Sequence, residues 1–118
     1  MGLLSRLFGP READADQQDE QVMAALRHAG ADLSQPREVI HYLYLPTEAA
    51  THAAVARIDR DDRFVHAVID PETGKSRIKM THTAVVTLDA MRALRLELES
   101  AAAEGGGEYD GWEAAATP

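Results

Sequence analysis

Three histidines, His41, His66 and His82, sit in three separate stretches rich in β-branched and aromatic residues, and imidazole is the side chain most used both for zinc ligation and for proton transfer near neutral pH. Strands could gather the three into one set. No two of them have the short spacing of a metal motif, however, and isolated strand histidines are most often partly buried polar residues. Joined to Glu108 and Asp110 they would make a minimal metal-dependent or acid–base enzyme, the weaker of the functional alternatives. Nucleophile and phosphate chemistry lack their signatures. Ser5, Ser34, Ser76 and Ser100 sit in no Gly-x-Ser-x-Gly elbow, no Gly-Lys-Ser loop is present, and Gly105-Gly106-Gly107 follows a helical stretch where a phosphate cradle precedes one. The expectation is no catalytic residue, no metal and no cofactor.

Recognition is better supplied. The string Glu108-Tyr109-Asp110-Gly111-Trp112-Glu113 reads as a strand, and strict alternation places Tyr109 and Gly111 on one side, Asp110 and Trp112 on the other. Trp112 would then be a partner anchor with Asp110 a charged rim contact. Alternatively the indole packs on the core with its N–H satisfied. Packing is favoured, because the chain has one Trp and a core light in aromatics. Tyr42 and Tyr44, two residues apart, project from one face of another strand, in the manner of base-stacking aromatics. The neighbouring Arg77-Ile78-Lys79-Met80-Thr81-His82 lacks the glycine and aromatic pattern of RNA-recognition modules, so direct RNA binding is the lesser reading.

The elements that would position these residues follow from periodicity and punctuation. Asp14 with Gln17 three residues on reads as a helix start, and Val22, Met23, Leu26 and Ala29 make its apolar stripe before Gly30. After a linker ending near Arg37, Glu38 to Leu45 is a strand. Pro46-Thr47-Glu48 supplies a breaker, an N-cap and a first-turn acid for an Ala-rich helix. Phe64 to Ile69 and Arg77 to Val86 are strands joined by the turn Asp70-Pro71-Glu72-Thr73-Gly74-Lys75. Thr87 caps a helix in which Leu88, Met91, Leu94 and Leu98 recur at spacings of three and four. The order βαββαβ is the split βαβ pattern of ferredoxin-like α+β folds: an antiparallel sheet with two helices on one face, here with an extra N-terminal helix in front. The other sheet face is left bare, or covered by that leading helix or by a partner.

The expected division is a flexible segment over residues 1–13, a helix and linker over 14–37, the ferredoxin-like domain over 38–114 and a disordered tail over 115–118. Leu3, Leu4, Leu7 and Phe8 within Met1–Pro10 have helical spacing, but the bland reading of a frayed terminus is preferred. With 12 Lys and Arg against 20 Asp and Glu, the net charge is -8, which repels phosphate and steers toward a basic protein partner. There is no cysteine, no long apolar run and no secretory signal, pointing to the cytoplasm. Self-association through an exposed edge strand is left open by the sequence.

Two stretches together carry a resemblance: His41-Tyr42-Leu43-Tyr44-Leu45-Pro46 before an Ala-rich helix, and Gly106-Gly107-Glu108-Tyr109-Asp110-Gly111-Trp112-Glu113 near the C-terminus. In this order and at this distance they resemble the regulator of ribonuclease E activity B (RraB) family, over roughly Val39 to Glu113. The resemblance implies a ferredoxin-like, non-catalytic domain that binds an RNase E-type endoribonuclease, inhibits it and so alters RNA turnover. Glu108 to Glu113, Tyr42 and Tyr44 are the candidate partner-binding residues. Where the best-known members carry a long Asp/Glu-rich tail, only Ala, Thr and Pro follow Glu113 here.

Overall fold

Two threonines set where the sheet-covering helices begin. In the computed structural model, which describes residues 12–116, Thr47 and Thr87 each take an extended backbone, and their hydroxyls accept the N–H of Ala50 and Ala90 at 3.1 Å. Each satisfies a donor that a helix start otherwise leaves unmade. The chain runs α1 (Glu12–His28), β1 (Arg37–Leu45), α2 (Glu48–Ile58), β2 (Phe64–Ile69), β3 (Ser76–Ala84), α3 (Leu88–Glu104) and β4 (Glu108–Ala114). The strands form one antiparallel sheet in the order β2-β3-β1-β4, the ferredoxin-like arrangement read from the sequence. Strand β3 ends at Ala84, short of Val86, because Val86 turns inward to 2% exposure against α1 and α3. The suggested docking of Met1–Pro10 lies outside the described residues, as does the end of the tail.

One face of the sheet is dry. Leu43 and Leu45 of β1 and Ile78 and Met80 of β3 are buried against Ala54 and Ile58 of α2 and Leu98, Ala101 and Ala102 of α3. Each large aliphatic side chain here contributes about 1.5–3 kcal/mol by leaving water. The alanines keep the helices close, and the glycines after α3 extend that closeness to the sheet. A Cβ on Gly107 would stand 2.0 Å from the Tyr44 carbonyl oxygen, so only glycine lets β4 join β1 at that point.

Helix α1 lies on the helix side of the sheet. Its Met23 and Leu26 pack with Ala31, Leu33, Val39, Val86 and Met91 in a second apolar cluster, and Asp16 pairs with Arg92 and with Arg95 (2.7 Å) of α3. The outer face of the sheet is therefore covered by no element among the described residues.

Candidate functional site

A bulge in β4 decides which side chains of the C-terminal string can meet a partner. His41 pairs with Trp112 and Leu43 with Tyr109, so Asp110 and Gly111 both oppose Tyr42, and Gly111 takes φ +96°, a backbone that favours glycine. Strict alternation placed Asp110 and Trp112 on one side, and the extra residue corrects this. Tyr109 and Trp112 share the helix-facing side, Asp110 is exposed, and Glu113 pairs with Ile40 on the outer face.

Behind the sheet, Tyr109 is buried, and its hydroxyl lies 2.9 Å from His41 Nδ1, while His41 Nε2 lies 3.1 Å from His82 Nε2. The two imidazoles stack with centroids 5.1 Å apart. Burial, helped by the neighbouring His82 and Arg63, pushes His41 down to about 3, so it stays neutral near neutral pH and shares protons only within this chain. Burial likewise lowers His82 and raises the Tyr109 hydroxyl. His66 is not part of this chain: it pairs with Lys79 on the outer face. Among the described residues no group of three His, Asp or Glu stands together as a metal site.

Trp112 is half-buried in the second apolar cluster, and its Nε1–H donates to Asp19 Oδ1 at 2.9 Å. This is the packed arrangement with a satisfied indole. Burial raises the Asp19 carboxyl, an effect opposed by the indole hydrogen bond and by Arg95, whose Nε is 3.7 Å from Oδ2. The hydrogen bond from Arg92 holds Asp16 low. Sequence reasoning missed this cluster, although its signal was there: carboxylates at Asp16 and Asp19 and guanidiniums at Arg92 and Arg95 share a spacing of three on two helices.

The outer face is ordered in bands. Val68, Arg77, Tyr44 and Glu108 form one row across the four strands, and Phe64, Thr81, Ile40 and Glu113 another, with His66, Lys79 and Tyr42 between them. Strand β2 is apolar, β3 basic, β1 aromatic and β4 acidic. The Tyr42 hydroxyl donates to Glu113 Oε1 at 2.5 Å, and the Arg77 guanidinium stands 5.5 Å from the centre of the Tyr42 ring. Tyr44 is 40% exposed. A shallow depression of about 320 Å³, lined by Glu38, Ile40, Phe64, His66, Lys79 and Thr81, adjoins these bands. Of the string, Glu108, Asp110 and Glu113 reach this face or its rim, whereas Tyr109 and Trp112 brace it from behind.

The described residues thus form a ferredoxin-like α+β domain with a bare, banded outer sheet face. The chain belongs to the family described as regulator of ribonuclease activity B, whose model matches residues 16–114. That span takes in α1 from Asp16 onward and all four strands. No curated protein matches the chain. No helix among the described residues is long and apolar enough to cross a membrane.

Proposed function

We propose that this domain is a non-catalytic, cytoplasmic regulator that inhibits an RNase E-type endoribonuclease by direct contact through its outer sheet face. The observation that carries the reading is that face itself: Tyr42 and Tyr44 beside Glu108, Asp110 and Glu113, uncovered by any described element, in a chain of the ribonuclease-regulator family. Tyr44 is the contact aromatic, the three carboxylates address basic side chains, and Tyr109, Gly111 and Trp112 fix the shape of the strand that presents them. A binder is consumed one for one, so inhibition is stoichiometric. The test is RNA cleavage by an RNase E-type enzyme with the domain titrated in. The paired substitutions Asp110→Asn and Glu113→Gln, and separately Tyr44→Ala, shift the inhibition curve to higher domain concentration. Absence of inhibition at every ratio overturns the ribonuclease assignment.

Arg77 over Tyr42, with Lys79 adjacent, favours one second reading, in which the same face stacks single-stranded RNA. Polyuridylate titrated against the domain separates the two readings. Binding that Tyr42→Ala abolishes would support the RNA reading, and none is expected with Glu113 and Glu108 on the flank.

A further inference from the structure

We infer that the domain self-associates into a closed dimer by pairing β2 with β2 of a second copy, joining two four-stranded sheets into one. The two edges of the sheet differ in a way that matters for assembly. Edge β4 carries the Gly111 bulge and the carboxylates of Glu108, Asp110 and Glu113, devices that blunt an edge. Edge β2, Phe-Val-His-Ala-Val-Ile, has no bulge, no proline and no Asp, Glu, Lys or Arg. A six-residue edge of that composition is the kind that pairs with another strand.

The geometry selects the second copy and its register. Asp70 N–H donates to the Lys75 carbonyl at 2.8 Å, so by alternation the N–H and C=O of Phe64, His66 and Val68 point toward β3, and those of Val65, Ala67 and Ile69 point outward. Two antiparallel copies related by a two-fold axis through His66 pair Val65 with Ala67 of the second copy, through those outward groups. The same register sets Phe64 opposite Val68 of the second copy, at the non-hydrogen-bonded positions where side chains approach most closely. Phe64 and Val68 are the two most exposed large apolar residues described, at 69% and 56%. The strand is thus a palindrome for burial. With a single pairing-competent edge, assembly stops at two, an isologous contact that cannot propagate. The two-fold stands perpendicular to the sheet, so both outer faces look the same way and Tyr42 and Tyr44, two strands inward, stay accessible.

The contact is small and forms a reversible dimer. Each chain carries a net charge of -8, so the two copies repel and added salt strengthens the association. Sedimentation equilibrium of the full chain, from low micromolar to near-millimolar concentration at low and raised salt, shows a monomer–dimer equilibrium that salt favours. His66→Glu places two carboxylates opposite each other on the two-fold and weakens association by about tenfold or more. Val68→Lys does the same, and both side chains are exposed, so circular dichroism of either variant is unchanged. Amide exchange at Val65, Ala67 and Ile69 slows as concentration rises, while at other exposed amides it does not. A chain that stays monomeric throughout overturns the inference. So does a dimer indifferent to both variants, which would place the contact elsewhere.

Discussion

Removing the indole of Trp112 takes two things from the fold at once, the apolar contact between β4 and α1 and the hydrogen bond that satisfies Asp19 Oδ1. Trp112→Ala is expected to cost about 3 kcal/mol or more, as truncation of a packed large aromatic does. Denaturant unfolding of the variant measures it, and a loss below about 1 kcal/mol would mean that the indole holds nothing. Trp112→Phe keeps the packing and isolates the bond. His41 gives a second residue-scale expectation, in pH. It is held near 3 in the fold against an ordinary 6.5, so below 6.5 the unfolded chain binds the proton first. Stability therefore falls as pH drops from 6.5 toward 3, and His41 contributes no pH dependence above that range. Urea unfolding from pH 6.5 down to about 5.5, above the ordinary 4.5 at which Glu97 titrates in the unfolded chain, reads the effect with little carboxylate contribution. In that window His41→Gln flattens the slope, and His41→Gln with His82→Gln flattens it further; an unchanged slope would assign the acid sensitivity to other groups.

At the scale of elements, the tightest junction is where α3 hands over to β4. Gly107→Ala drives a methyl into the Tyr44 carbonyl and must move β4 away from β1, at a cost of about 2–3 kcal/mol, whereas at Gly106, with φ +76° and a Cβ that would meet only Pro46 Cγ at an ordinary 3.7 Å, the same change costs about 1 kcal/mol. Comparing the two variants by thermal unfolding checks this order. Most element boundaries were legible because they rest on local chemistry. Thr47 and Thr87 cap where a threonine before a first-turn acid should, Gly74 turns the hairpin with φ +77°, and Met91, Leu94 and Leu98 of the expected stripe pack inward from α3. What escaped reading was non-local. The Gly111 bulge depends on how β4 lies against β1, and it alone decides that Trp112 faces inward. The same holds for the histidines: that His41 meets His82 while His66 turns outward is fixed by strand register, which spacing does not specify.

For the whole molecule, charge predicts how regulation responds to ionic strength. Exposed carboxylates are screened over about 8 Å near physiological salt, so inhibition of an RNase E-type enzyme is expected to weaken as salt rises, after correction for the enzyme's own salt response. Inhibition indifferent to salt would mean that Glu108, Asp110 and Glu113 do not carry the contact. The banding of the outer face adds a property that net charge does not describe. Cations on β3 and carboxylates on β4, separated by the aromatic strand β1, make a lateral dipole in the plane of the sheet. An approaching partner with its own charge asymmetry feels a torque as well as an attraction, and is turned into one in-plane orientation before any side chains touch.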